Sequence, residues 1–352
     1  MTSVSAAPVP LSVLDLAPVA AGSTSAQALR NTIELAKHTE ALGYIRFWLA
    51  EHHNMPGIAS SAPAVLIGQV AAATSTIRVG SGGVMLPNHP PLVVAEQFGM
   101  LTALYPDRID LGLGRAPGTD PRTAQALRRS TEPLSADDFP EQLAELIGYF
   151  GGSDSQIQAV PAAGNQPPVF LLGSSGYSAQ LAGMLGLPFA FAHHFSARNT
   201  LPAVELYRRS FHPSDALAQP YVLIAAAVVA AEDDERAEWL SGSMGLSFVK
   251  LRSGRPGLLP TPEEAAAYPY TDFDRAVLAD RQASQIVGGP DTVRKGVEEL
   301  VAATGADELM VTTMVHDPAA RLRSYELLAG LWSPATDAMS HDDSRATTTT
   351  AR

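Results

Sequence analysis

The 352-residue chain contains no cysteine, so disulfide bonds, thiolate chemistry and cysteine-ligated metal sites are excluded. It is also poor in basic residues: 24 Lys and Arg stand against 36 Asp and Glu, which gives a net charge of −12. Nucleic acids and anionic membranes bind to basic faces, so we expect the chain to bind neither. An anionic small molecule held by one or two local arginines is compatible with this charge.

Long apolar runs are missing as well. The most apolar run, residues 221–231, is far too short to span a bilayer. The first ten residues have neither the basic nor the apolar part of a signal peptide. Because 46% of the residues are apolar, the chain can bury a large core. The expectation is a soluble, cytoplasmic protein.

Short apolar segments alternate with amphipathic, alanine-rich ones, a pattern typical of βα units around a parallel sheet. A doubly wound sheet would show a Gly-x-Gly-x-x-Gly turn after strand one, and residues 16–19 contain none. The order therefore predicts a (β/α)8 TIM barrel over residues 10–332, between a flexible N-terminus (1–9) and a disordered tail (333–352). The eight predicted strands are 11–16, 44–49, 77–86, 108–114, 169–172, 189–192, 221–229 and 308–315.

Residues 232–287, between strands seven and eight, are too many for one barrel helix. They contain the turn-rich sequence Ser-Gly-Arg-Pro-Gly at 253–257. We interpret this insertion as a lid over the strand ends.

Strand two runs directly into Glu51-His52-His53. In a barrel, the carboxyl end of a strand is where catalytic groups lie. An imidazole there can donate or accept a proton near neutral pH. The alternative is a histidine that only hydrogen-bonds neighbouring loops.

Three further strand ends carry candidate ligand contacts. Strand three ends in the glycine-rich run 80–83, which suits the close approach of a flat ligand or a bulge without one. Strand four ends in Arg115, whose guanidinium suits a phosphate or carboxylate, or else a surface ion pair. The loop 173–178, Gly-Ser-Ser-Gly-Tyr-Ser, opens the helix after strand five and predicts an anion site on its free N–H groups.

A second histidine pair, His193-His194, ends strand six. Together with His89 and the pair at 52–53, it could in principle bind a metal. However, neighbouring residues on a strand point to opposite faces, so we expect one histidine of each pair to enter the barrel. We therefore assign no metal site.

These motifs, in this order, resemble those of the bacterial luciferase-like flavin monooxygenases, a (β/α)8-barrel family, and in particular an FMN-type subgroup. The similarity extends from about Leu11 to Leu331. The residues that carry it are 48–53, 79–87, 107–120, 173–178 and 288–292.

The resemblance implies a role for each matching residue. His52 corresponds to the active-site histidine that handles protons beside the flavin. Gly82 and Gly83 correspond to a cis peptide under the isoalloxazine ring, and Met85 belongs to the same cofactor-binding motif.

The other matches concern the phosphate and the far side of the flavin. Arg115, Ser175 and Ser178 correspond to phosphate contacts. Ser174 is assigned to the same cofactor loop, although the luciferase alpha chain has an acidic residue there. His193 corresponds to a position that faces the flavin.

The implied reaction uses FMN as FMNH2, supplied by a separate flavin reductase. O2 would convert it to a C4a-(hydro)peroxyflavin that oxygenates a small organic substrate, in a protein that forms a homodimer. The alternatives are hydride transfer with the deazaflavin F420, a flavin-binding protein without catalysis, and a metal-dependent barrel hydrolase.

Overall fold

Parallel strands and covering helices alternate along the chain. The computed structural model describes residues 8–116, 118–128, 138–151 and 157–332. The strands are β1 (Leu11–Asp15), β2 (Arg46–Leu49), β3 (Arg78–Met85), β4 (Ile109–Gly114), β5 (Val169–Gly173), β6 (Phe189–Ala192), β7 (Val222–Ala230), β8 (Gln285–Gly288) and β9 (Glu308–Thr312).

The α-helices cover the outside of the sheet or lie over its carboxyl end. They are α1 (Ser25–Ala41), α2 (Pro63–Ala73), α3 (Pro91–Leu104), α4 (Pro121–Arg128), α5 (Phe139–Gly151), α6 (Gly176–Met184), α7 (His193–Ser196), α8 (Thr200–Ser210), α9 (Asp234–Arg252), α10 (Pro262–Ala267), α11 (Asp272–Gln282), α12 (Pro290–Thr304) and α13 (Pro318–Gly330). Local sequence sets several ends: Thr24 caps α1 by accepting from Gln27 N, and Gly43 follows that helix with a positive φ of 85°.

The strands close into an eight-stranded parallel barrel. Strands β1 to β7 pair in sequence order, and β9 pairs with both β7 and β1. This confirms the predicted TIM barrel. The strand count is corrected to nine, because β8, which was not predicted, pairs with Ala227–Ala230 of β7. Its first three residues belong to the predicted insertion 232–287, which otherwise contains α9, α10 and α11.

Alternation along the strands separates two apolar layers. Ile109, Leu111 and Leu113 of β4 belong to the larger cluster between the strands and the helices. Inside the barrel lies a second cluster: Leu14, Trp48, Ala50, Phe170, Ala190, Leu223, Ala225 and Met310.

The most apolar run of the sequence forms β7, and all nine residues of this strand are buried. A parallel strand covered on both faces has this continuous apolar character. Within the described ranges, no helix is long and apolar enough to cross a membrane.

A buried ionic cluster closes the amino end of the barrel. Arg46, at the start of β2, pairs with Asp110 of β4 and with Glu308 of β9, the latter at 3.0 Å. Asp110 also accepts hydrogen bonds from Arg78 Nη2 at 2.6 Å and from Trp48 Nε1 at 3.1 Å. We call Arg46, Asp110 and Glu308 the ionic floor. By binding the indole nitrogen, the floor also fixes Trp48 under the space described next.

Candidate active site

A cavity of about 540 Å³ lies above the ionic floor, at the carboxyl ends of the strands. All eight barrel strands contribute to its wall, as expected for a barrel enzyme. The insertion contributes as well, through α9, residues 256–257 and α11. Residues predicted as site residues that line this cavity are His52, Gly82, Met85, Arg115, Ser174, Ser175 and Ser178.

His52 follows β2 and borders the cavity with an unsatisfied ring nitrogen. Its Nδ1 atom is buried and has no hydrogen-bond partner in the described part of the chain. Burial lowers the pKa of His52, and the Gly118 backbone and the Glu51 carboxylate oppose this only in part. The imidazole is therefore neutral near pH 7, and Nδ1 has a hydrogen-bonding capacity that no described residue fills.

The neighbouring Glu51 has the opposite environment. It is fully buried, and Oε1 accepts hydrogen bonds from His53 Nε2 at 2.9 Å and from His89 Nε2 at 2.8 Å. Its other oxygen accepts from Met85 N at 3.1 Å. Burial alone would raise the pKa of Glu51, but the hydrogen bonds from His89, His53 and Met85 outweigh it and hold that pKa low.

Glu51, His53 and His89 also form a group whose ligand atoms lie within 4.8 Å of one another, which could hold a metal ion. However, the 2.8 and 2.9 Å separations are ordinary hydrogen-bond lengths. We therefore interpret the group as a carboxylate that joins the loops after β2 and β3 and holds the Met85 backbone beside the cavity.

The glycines of β3 bring backbone, and not side chains, to the cavity. The Gly82–Gly83 peptide bond is cis, as the resemblance implied. The pairing of β3 with β4 skips Gly83, so the strand bulges there. A Cβ atom on Gly83 would lie 2.7 Å from the Gly112 backbone oxygen, so only glycine fits there, whereas one on Gly82 would lie 2.6 Å from the Leu14 side chain. Gly82 lines the cavity, whereas Gly83 is not part of its wall.

Arg115 and the serine loop lie next to each other at the ends of β4 and β5. The Arg115 Cζ atom lies 4.0 Å from the centre of the Tyr177 ring. Ser175 is the N-cap of α6 and makes no capping hydrogen bond with its side chain. The first N–H groups of α6, three serine hydroxyls and one guanidinium therefore surround a position suited to a phosphate.

At the second histidine pair, the structure places His194, and not His193, in the cavity wall. His193 Nδ1 bonds to Thr200 Oγ1 at 2.8 Å, and its proposed contact with the cofactor stays a prediction. His194 is buried and donates from Nδ1 to the Ala225 carbonyl at 2.8 Å. Burial lowers the pKa of His194 to about 4, which keeps it neutral. Each histidine pair thus contributes one residue to the wall, as expected, although both pairs follow the end of their strand and do not alternate as strand residues.

The insertion was expected to lie over the strand ends and it does line the cavity, but sequence reasoning named none of its side chains. Phe248 of α9 and Arg281 of α11 both line the cavity, and Arg281 Cζ lies 4.3 Å from the centre of the Phe248 ring. No motif marks either residue. The available signal was the excess length of the insertion, which indicated a cover but not its side chains.

Comparison with known proteins supports the match of fold and motifs. The family profile described as luciferase-like monooxygenase matches residues 9–308. A luciferase-like monooxygenase of Escherichia coli (strain K12) is 49% identical, covering 90% of this chain and 95% of that protein. The N-acetyl-S-alkylcysteine monooxygenase of Bacillus subtilis (strain 168) is 35% identical, covering 91% of this chain and 97% of that protein.

Solved structures agree. Apo-MsnO8 superposes with a TM-score of 0.86 at 41% identity, over 92% of this chain and 98% of that one. Two more distant structures share the fold. The oxygenating component of 3,6-diketocamphane monooxygenase from Pseudomonas putida, in complex with FMN, has a TM-score of 0.71 at 21% identity and covers 93% of this chain and 99% of that one. An F420-dependent secondary alcohol dehydrogenase has a TM-score of 0.65 at 14% identity, with the same coverage of both chains.

Proposed function

Since the chain belongs to the luciferase-like monooxygenase family and is therefore an oxidoreductase, we propose that it uses reduced FMN and O2 to oxygenate a small organic substrate. The observation that carries the proposal is the cavity itself. One space combines an anion-binding corner, an apolar wall and a neutral histidine whose Nδ1 atom has no partner among the described residues. Those are the three features that a phosphorylated flavin and a proton-dependent oxygenation need.

The residues present fit FMN. Arg115, Ser174, Ser175 and Ser178 would hold its phosphate, and Gly82 and Met85 would contact its ring system. The glycines leave the backbone open there, and the apolar wall excludes water. When bound, the reduced flavin supplies the electrons and the reactivity towards O2.

The contribution of the chain itself is placement and proton handling. His52 would hold or move a proton at Nδ1, the ring nitrogen with no partner in the described residues. Glu51 would hold the adjoining loops and the Met85 backbone in place through its hydrogen bonds. The ionic floor would keep Trp48 fixed beneath the ligands.

The test is a stopped-flow experiment in which the protein with photoreduced FMN is mixed with aerated buffer. We expect flavin reoxidation to be at least about tenfold slower than for free FMNH2, because a dry site controls the reaction with oxygen. Reoxidation at the rate of free FMNH2, despite demonstrated binding, would contradict the monooxygenase proposal. It would favour the flavin-storage or F420 alternatives, and titration with F420 would separate those two.

The first substrate to assay is an N-acetyl-S-alkylcysteine, the class named for the relative that is 35% identical. The F420 alternative rests on the shared fold alone, at 14% identity. The named monooxygenase relatives therefore favour FMN.

The proposal includes a separate flavin reductase, a homodimer and a cytoplasmic location. Turnover should then require an added NADH-dependent reductase when the flavin is supplied oxidised. Light scattering should give twice the 37.0 kDa mass of the chain.

A further inference from the structure

The cavity wall differs in charge from the rest of the molecule. The chain has 36 acidic residues against 24 Lys and Arg, yet the described lining contains two arginines and no carboxylate. The two arginines are Arg115 and Arg281. A cavity with two cations and no internal counter-charge is suited to two anionic groups.

Arg281 is a partly buried cation that has no counterion among the described residues. Its Nε atom is buried and unpartnered among the described residues, and no ion pair to its guanidinium is formed there. The next residue back, Asp280, points outward and pairs with Arg198 at 2.7 Å. Burial lowers the pKa of Arg281 to about 10, which leaves it protonated at neutral pH. A partly buried charge of this kind is costly unless a ligand compensates it.

The two arginines belong to different parts of the wall. Arg115 follows β4 and lies over Tyr177, beside the start of α6. Arg281 lies on α11 of the insertion, over Phe248 of α9. The phosphate corner already has its own cation, three serines and a helix N-terminus, so it does not require Arg281.

The cavity wall outside the phosphate corner is mostly apolar. It includes Phe195, Met244, Phe248, Leu251 and Met314, and Phe248 packs against the Arg281 guanidinium. His194 also lines the cavity and could carry a positive charge, but it is neutral at pH 7 because its pKa is about 4. An apolar body with one anionic end therefore fits this part of the cavity.

We propose that Arg281 is a specificity-determining residue that binds a carboxylate or sulfonate at one end of an otherwise apolar substrate. This inference rests on the proposed function, because it assigns the flavin phosphate to Arg115. A guanidinium can bind both oxygens of such a group at once.

The probes are straight-chain carboxylates of four to twelve carbons and their matched primary amides. Each amide keeps the shape of its acid and removes the charge. Binding to the FMN-loaded protein is measured by isothermal titration calorimetry. We expect at least one carboxylate to bind about ten- to a hundredfold more tightly than its amide, as charge-assisted hydrogen bonds predict.

Two substitutions at position 281 and one elsewhere complete the design. Arg281→Gln should abolish the preference for the acid, and Arg281→Lys should keep part of it. Arg252→Gln is the matched control, because Arg252 is exposed on α9 and is not part of the cavity wall. That variant should bind the acids like the wild type, and all three should bind FMN with unchanged affinity.

Other outcomes overturn the inference. Equal binding of acids and amides, or no binding of any acid by a protein that binds FMN, would mean that Arg281 recognises no substrate anion. If Arg281→Gln weakens FMN binding as much as Arg115→Gln does, Arg281 holds the cofactor and the inference is wrong while the proposed function stands. If the wild type binds no FMN, the proposed function fails, and the same acid and amide pairs on the unloaded protein still test Arg281.

Discussion

Glu51 and His52 are neighbours in sequence with opposite roles. Glu51 is fully buried and has both oxygens engaged in hydrogen bonds. His52 keeps one ring nitrogen without a partner among the described residues and faces the cavity. A satisfied buried carboxylate stabilises the loops, whereas an unsatisfied imidazole in a cavity is suited to act on a ligand.

His52→Ala should therefore lower turnover by about a hundred- to ten-thousandfold, the usual range for loss of a general acid or base. The measurement is the kcat of O2-dependent substrate oxidation, with FMN affinity determined separately. His212→Ala is the matched control, because that histidine is exposed and lies outside the cavity wall. A change of kcat within about threefold, with FMN still bound, would show that His52 has no such role.

The lowered pKa of His194 leads us to expect that the free energy of unfolding depends on pH. Its pKa is about 4 in the folded protein, because burial disfavours the charged ring. In the unfolded chain it titrates near its ordinary value, so only the unfolded state gains a proton between the two values. Stability is fully present above the unfolded pKa and decreases as the pH falls towards 4.

The expected loss from this one group is about 2 to 3 kcal/mol between pH 7 and pH 4.5. Urea unfolding at both pH values would measure it as the difference between the wild type and His194→Asn. If both proteins lose the same free energy on acidification, the folded pKa of His194 is not depressed.

Sequence alone predicted much of the site at this scale, but not the choice between His193 and His194. Strand alternation predicts that one residue of such a pair enters the barrel. However, β6 ends at Ala192 and a short helix starts at His193, so the alternation ends just before the pair. Which residue enters depends on this local turn.

At the level of elements, the ionic floor shows what a sequence pattern leaves open. Asp110 alternates along β4 with Ile109 and Leu111 of the outer cluster and is fully buried. Its partner Arg46 is 64 residues away, and Glu308 is 262 residues from Arg46. Pairs so distant in sequence cannot be read from spacing, because they depend on the closure of the barrel.

Asp110→Ala should destabilise the protein by about 3 to 5 kcal/mol, since it removes one of the two counterions of the buried Arg46, the carboxylate partner of Arg78 and the acceptor of the Trp48 indole. Asp272→Ala is the control: its exposed pair with Arg275, at 3.9 Å, should be worth about 1 kcal/mol or less. Chemical denaturation of both variants checks the difference. Equal effects would mean that the floor is no stronger than a surface pair.

Strand β8 was not predicted because it, too, depends on a contact with a segment that is distant in sequence. It has four residues, three of them only partly buried, inside an otherwise helical insertion. Its strand geometry comes from pairing with β7, which extends beyond the residues that pair with β6. A segment this short has too weak a pattern to be predicted by itself.

For the whole molecule, the barrel was predictable because buried parallel strands have continuous apolar runs separated by helices. Closure of eight strands then brings their carboxyl ends to one place, which gathered seven of the nine proposed site residues around one cavity. The insertion adds the remaining cover, and its role as a lid stays a prediction.

The lid interpretation predicts protection from proteolysis. Leu251, Pro256 and Gly257 line the cavity beside an exposed turn, so a bound ligand should pack against this segment. Trypsin cleavage after Arg252 should be slowed by FMN together with a bound carboxylate, as measured by mass spectrometry over time. Cleavage after Arg209, on α8, is the internal reference. Equal protection at both positions would indicate general stabilisation by the ligand and not closure of a lid.

The ionic floor also constrains the kinetics of the protein. Because charged side chains bonded to one another block the amino end of the barrel, traffic into the cavity passes through the carboxyl end. Flavin and substrate that enter from the same end of the barrel should not bind and dissociate independently. The ligand bound deeper should bind first and dissociate last. Steady-state experiments should therefore follow a compulsory-order scheme, in which an excess of the outer ligand traps the inner one.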